Sequence, residues 1–436
     1  MASHAPFRHI LGDLELVPVV LGGDIGAYSI ARAFDEAFGV RSVVVSQGGG
    51  GTVRDSRIID LIVEPAMDDP DVVVATLHRV AAERPDATLI VLGSADWHVE
   101  ALVARRSDLE PRYVVPYVDQ TLMDRVTSKE GFAALCDEYG LAHPRGFVFP
   151  VAEALDLDAL DAGVADLAFP VIAKAGSTAA YHAVEFAGKE KVHTVASLED
   201  LHALMTKVHA SGYRDTFLIQ DLIPGDDAGL RISNTYVDRH GKASYTVFGH
   251  ILLQEHTPST VGNSSVVLTV DAPDAVAALE RMLEGIGWRG FGSFDMKMDP
   301  RTGEMVFFEL NPRLSRSNFF VTSSGLNPAV AYVRDWILDE PVVSPGERGE
   351  PYSSLFTVVP TALMRGYLLD EDVRRAIRAL PRRRVMNPLW NPRETHPRRL
   401  AYVAANQLNH FRKYRTFYPR AMQRAERAAA EAALGR

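Results

Sequence analysis

Over the first 120 residues, short β-rich apolar runs alternate with amphipathic stretches: "LELVPVVLG", "AYSIARAFDEAFG", "SVVVS", "IIDLIVEP", "DVVVATLHRVAAE", "ATLIVLG" and "YVVPYV". A strand, a helix and another strand in repetition leave few solutions, because the crossover lays the strands parallel and covers the sheet with helices. The pattern predicts a parallel α/β unit. Gly22, Gly23 and Gly26 in "LGGDIGAYS" follow the first strand, but their spacing is not G-x-G-x-x-G. They predict a strand-to-helix turn beside a substrate cleft. "SQGGGGTVRDSR" reads as a loop leaving the second strand, where such sheets commonly meet ligands.

From "SKEGFAALCDEYGLAHPRGFVFP" onward the pattern changes. The strands "PVIAKAG", "FLIQDLI", "LRISNTYVD" and "ASYTVFGHI", with the helix "SLEDLHALMTKVHA" among them, predict an α+β unit with hairpins. The helix "DAVAALERMLEGIG" and the strand pair "GSFDMKMD" and "EMVFFEL" follow.

"FFELNPRLSRSNFF", residues 307–320, crowds a carboxylate, an amide and two arginines against the end of a strand. Glu309 and Asn311 are two apart and so share a face, and the hairpin partner brings Asp295 beside them. Two carboxylates and an amide oxygen make a hard site suited to Mg²⁺, which takes its other ligands from water and phosphates. The same residues also read as an acidic hairpin end with Asn311 and Pro312 as turn formers. Arg313 and Arg316 are harder to explain as scaffold, since arginine forks suit phosphate or carboxylate oxygens.

Lys174 sits inside the apolar strand "FPVIAKAG", where a lysine is disfavoured unless it meets an anion. Ser177 opens the small-residue loop "STAAYHAVEFAGKEK", whose backbone N–H groups can approach phosphates. Lys129 in "TSKEGF" is a second phosphate candidate. In "FLIQDLIPGDD" the strand end can offer Asp221 and Leu222 to adenine and a carboxylate beyond to ribose, although Asp226 and Asp227 also read as turn residues.

In order, Lys129, Lys174, "QDLIPGDD", Asp295 and "ELNPR" resemble the ATP-grasp ligases, and within them the carboxylate–amine ligases of the D-aspartate ligase type. The likeness runs over roughly residues 15–340 and includes "KAGSTAAYHAVEFAGKEKV", "GHILLQEHTPSTVGN" and "FFELNPRLSRSNFFVTSSG". It implies an N-terminal α/β domain over 1–120, a linker helix and small lid over 121–224, and a C-terminal α+β metal-binding part over 225–345. A basic extension over 346–436 would follow. It implies an acylphosphate made from ATP and a carboxylate, then an amide made with an amine. Lys129, Lys174 and Ser177 would hold phosphates, Gln220, Asp221 and Leu222 the adenine, Asp227 the ribose, and Asp295, Glu309 and Asn311 the magnesium. Arg313 would face the acylphosphate. Ser293 stands where D-alanine–D-alanine ligase has an arginine, so that charge is expected from Arg231, Arg313 or Arg316. His256 reads either as a base or as a structural histidine.

The net charge of −10 hides an asymmetry: residues 374–424 hold fourteen Lys and Arg against one acidic residue, Glu394. Such an end predicts either a face packed on an acidic body or a docking surface for anionic lipid or substrate. One cysteine, Cys136, excludes an internal disulfide, and the start lacks a signal-like apolar run. The expectations are a cytoplasmic location, peripheral to the membrane through the basic end, and no nucleic acid. Small carboxylate and amine substrates are expected, a cell-wall precursor among them, with a homodimer as the assembly. Peptide ligation in a secondary pathway and non-catalytic nucleotide binding are the competing functions.

Overall fold

The computed structural model describes residues 5–176, 180–181, 183–258, 260–343 and 350–433. The described strands form three sheets. The first is parallel, in the order β3-β2-β1-β4-β5, from β1 (Leu16–Leu21), β2 (Ser42–Ser46), β3 (Ile59–Val63), β4 (Thr88–Gly93) and β5 (Tyr113–Val114). Val19, Val20 and Leu21 are wholly buried and Phe34 and Phe38 of the helix Ile25–Phe38 pack with them, as the near-continuous apolar run of β1 demands. That helix starts at Asp24, whose Oδ1 accepts from Ala27 N at 3.0 Å.

The second sheet, β6-β9-β7-β8, is antiparallel and comprises β6 (Gly146–Pro150), β7 (Val171–Ala175), β8 (His193–Val195) and β9 (Thr216–Asp221). Its core, with Phe149, Leu160, Leu201 and Phe217 at its centre, shares no buried apolar residue with the rest of the chain. The first and third sheets, by contrast, close over one continuous core. Cys136, on the helix Lys129–Tyr139, lies in that core, and burial pushes its thiol up to about 12.

The third sheet has the order β14-β13-β10-β11-β12-β15-β16. Its first five strands in that order are β10 (Leu230–Val237), β11 (Ala243–Gln254), β13 (Gly290–Met298) and β14 (Met305–Asn311), all predicted, and β12 (Ser264–Thr269), which was not. The last two were not foreseen either. β15 (Leu355–Thr357) pairs with β12, and β16 (Val385–Met386) with β15.

The segment expected as a basic extension is therefore part of the body. Tyr414 and Tyr418 are buried, and Tyr414 Oη donates to Gln254 O at 2.6 Å. Glu394, the lone acid of the basic stretch, accepts from Tyr28 Oη, Ser56 Oγ and Arg57 N, and stands 3.3 Å from the fully buried Arg399. Buried charges of this kind persist only when each has partners.

Candidate active site

The small sheet and the end of the large sheet face each other, and the candidate residues gather between them. Register decides which. Asp295 lies opposite Glu309 and Ser293 opposite Asn311 on β13 and β14, so Asp295, Glu309 and Asn311 share a face as predicted. Asn311 Nδ2 donates to Asp295 Oδ2 at 3.1 Å and reaches Glu309 Oε1 at 3.5 Å. Burial and then the charge of Glu309 push Asp295 up. Burial acts on Glu309 in the same sense, but Lys129 and Lys174 outweigh it and hold that carboxyl low.

Two adjacent carboxylates that repel, with an amide alongside, form the donor set a small hard dication neutralises. The residues fit magnesium in that sense. No group of three or more His, Cys, Asp or Glu placed to hold a metal occurs among the described residues, so water and phosphate oxygens would complete such a shell.

Lys129, first residue of the helix Lys129–Tyr139 behind its Ser128 cap, stands 3.6 Å from Glu309 Oε2. Lys174 lies on β7 of the small sheet, its pKa lowered by burial and then by the charge of Lys129. Ser177 lies outside the described residues. Gln220 and Asp221 end β9 and Leu222 follows; the Asp221 carboxylate accepts from Arg145 Nε at 2.9 Å, and the Asp221 N–H donates to Arg145 O at 2.9 Å.

Other candidates are placed differently. Arg231 pairs across the sheet with Met296, while Ile232 pairs with Asp295, so Arg231 points to the opposite face and does not join the cluster. Its nearest partners are backbone carbonyls. Asp227 is buried and accepts from Gln254 N at 2.8 Å and His256 Nε2 at 2.9 Å, and the His256 ring stacks on Tyr418 at 3.5 Å. Both residues are thus engaged in holding the C-terminal helices, and the ribose contact expected of Asp227 has to compete with those bonds.

Arg313 does come to the cluster, with Nη2 3.4 Å from Asn311 Oδ1, but its main partner is Asp96, 2.8 Å away from both Nη2 and Nε. Arg316 stands 3.2 Å from Asp24 Oδ2 and 3.6 Å from Glu255 Oε1. A Cβ on Gly26 would lie 3.3 Å from the Arg316 backbone, so the glycine allows this close approach. Sequence reasoning missed Asp24, Asp96 and Glu255, each far along the chain from the arginine it meets. It also missed Lys297, whose ammonium donates to Ile223 O at 2.9 Å and Gly225 O at 2.7 Å. An isolated lysine in the apolar strand "FDMKMD" was the available signal.

No family model matches the chain. It is 29% identical over 409 residues to a D-aspartate ligase of Enterococcus faecium, covering 92% of this chain and 97% of that one. The chain is similar to an ATP-grasp carboxylate–amine ligase along nearly its whole length. Solved structures carry the same fold at lower identity. The carboxyaminoimidazole ribonucleotide synthase of Asperigillus clavatus, complexed with ATP, aligns over 78% of this chain and 81% of its own, with 13% identity and a TM-score of 0.55. The biotin carboxylase domain dimer of the Hydrogenobacter thermophilus 2-oxoglutarate carboxylase, in complex with MgADP and bicarbonate, aligns over 78% and 73%, with 15% identity and a TM-score of 0.53. Both of these neighbours carry an adenine nucleotide. Among its described residues no helix is long and apolar enough to cross a membrane.

Proposed function

We propose that this ligase activates the carboxylate of an amino acid, D-aspartate in the first instance, and joins it to an amine of a peptidoglycan precursor. The observation that carries the substrate is the likeness to D-aspartate ligase along nearly the whole of both chains. Charge at the cleft edge supports it: Asp24, Arg316 and Glu255 offer both signs to a zwitterionic amino acid.

In this reading Lys129 and Lys174 hold the nucleotide phosphates as compact point charges, and the backbone at Gln220–Leu222 meets the adenine. Asp295, Glu309 and Asn311 would hold magnesium, which neutralises charge on the phosphates during transfer. A carboxylate oxygen of the amino acid bonds to the γ-phosphorus as the bond to the leaving ADP oxygen breaks. The amine nitrogen then bonds to the acyl carbon, phosphate departs, and the nitrogen loses a proton. The chain supplies alignment and positive charge for both steps, with Arg313 held by Asp96 beside the acyl end.

Peripheral contact with anionic membrane belongs to the same reading and rests on the exposed Leu400, Leu408 and Phe411 of the basic helix Pro397–Phe417. Homodimer assembly is its remaining part. The substrate is tested by mass spectrometry of products formed with D- and L-amino acids and a peptidoglycan precursor. The expected product is a D-aspartyl amide; its absence, with another amino acid incorporated instead, overturns the substrate.

A further inference from the structure

Strand parity turns Arg231 away from the ATP cleft, and it leaves a guanidinium on the far face of the large sheet with little to do. Its Nη1 donates to Ala228 O at 2.9 Å and Leu230 O at 2.8 Å, and no carboxylate of the described residues lies within ion-pair distance. A guanidinium has five N–H donors, so much of the fork is unspent. Burial alone lowers its pKa to about 10, the cost of a charge held without a counter-charge.

Arg231 lines a cavity of about 240 Å³, well above the roughly 10–15 Å³ that one water requires. Met298, on the same far face, and Pro300 form an apolar wall, the loop from Pro224 forms a second side, and Arg427 and Glu431 of the helix Arg420–Ala433, paired at 3.3 Å, form a third. Asp226 faces the same space. It is 9% exposed; its Oδ1 accepts from Ala228 N at 3.2 Å, but its buried Oδ2 accepts no hydrogen bond from any described residue. An unpaired buried carboxylate oxygen is costly, so this one calls for a donor.

We propose that this cavity is a binding site for a free α-amino acid, separate from the ATP cleft, with the ligand's carboxylate on Arg231 and Arg427 and its ammonium on Asp226 Oδ2. A simple anion would be repelled by Asp226 and Glu431, and a simple cation by Arg231, whose charge has no carboxylate partner, and by Arg427. A small zwitterion satisfies both, and Met298 and Pro300 leave room for a short side chain.

The site shares a loop with the cleft. Pro224–Gly229 follows directly on Gln220–Leu222, and Lys297 grips its start from the cleft side through Ile223 O and Gly225 O. An occupant that orders the loop from behind therefore couples to nucleotide affinity, and the coupling is reciprocal. The coupling, though not the site, rests on the reading of Gln220–Leu222 as the adenine contact.

Calorimetry of the full chain with L- and D-alanine and L- and D-aspartate, and with propionate and ethylamine, tests the site. At least one amino acid binds, and propionate and ethylamine bind about tenfold weaker or worse. Asp226→Asn and Arg231→Met, each folded by circular dichroism, weaken that binding about tenfold, whereas Glu309→Gln in the cleft leaves it unchanged. ADP binds more tightly when the amino acid is present, and Asp226→Asn removes the effect. Absence of binding by all four amino acids, or binding indifferent to Asp226→Asn, overturns the site. ADP release from ATP separates the two readings: its presence without this binding overturns the cavity alone, and its absence with the binding intact overturns the ligase reading alone.

Discussion

Lys129 Nζ lies 3.6 Å from Glu309 Oε2, so the first residue of a helix and the last residues of β14 meet in one charged cluster. Lys174 reaches the same cluster from the small sheet, and its charge helps hold Glu309 low. Two ammonium groups beside two carboxylates are balanced for phosphates carried on a dication. Lys129→Ala and Lys174→Ala should each weaken ATP binding about tenfold or more. Lys174→Arg should fail as well, because a planar fork does not replace a compact ammonium. Unchanged ATP affinity by calorimetry in the alanine variants would make both lysines structural.

The Glu394–Arg399 pair ties the C-terminal helix to the first sheet, with Arg399 Nη1 also donating to Thr52 O at 2.8 Å. Glu394→Ala leaves a buried guanidinium without its carboxylate and should cost about 3–5 kcal/mol, read as a fall in the urea midpoint. A chain ending near residue 365 loses β16 and this pair, and should be insoluble or unfolded. A soluble, cooperative truncated protein would show that the end is dispensable.

Three histidines, His98 and His410 buried and His250 partly so, predict an acid-side loss of stability. Burial, then Arg313, holds His98 at about 3; burial, then Arg231, holds His250 at about 4; burial holds His410 at about 4, although Glu255 opposes it. Unfolded, these rings protonate near pH 6.5. Between about pH 6.5 and 4 the unfolded chain then binds more protons than the folded one, so stability should fall as pH falls through that window. Urea midpoints at pH 7 and pH 5 measure it, and His410→Gln should flatten the dependence. Equal midpoints in the wild type would contradict the burial of neutral rings.

Leu400, Leu408 and Phe411 are exposed on a helix that also carries Arg398, Arg412, Lys413 and Arg415. If they meet a membrane, the protein should sediment with anionic vesicles and not with neutral ones. Salt should release it, since the Debye length shrinks to about 3 Å at 1 M. Indifference to anionic vesicles at low salt would leave the stripe unconnected to lipid.

The parallel sheet, the hairpins and the Asp295–Glu309–Asn311 face were legible because strand periodicity is local and a two-residue spacing fixes a face. Arg231 was misread because its face depends on register with β13, which no local pattern supplies. The basic end was read by its charge, whereas β15 and β16 are too short to signal themselves and the bonds from Tyr28, Ser56 and Arg57 to Glu394 are tertiary. Asp96 and Asp24 were invisible as partners of Arg313 and Arg316 for the same reason: each lies more than 200 residues away.

The most direct test of the account is ADP release by the full chain with Mg²⁺, ATP, D-aspartate and a peptidoglycan precursor, comparing wild type with Glu309→Gln. Wild type should release ADP only with all four present, lose the activity in EDTA and regain it with excess Mg²⁺. Glu309→Gln should be folded and inactive. Wild-type rates from folded Glu309→Gln, or ADP release indifferent to Mg²⁺, would contradict the assignment of this cluster as the site of phosphoryl transfer.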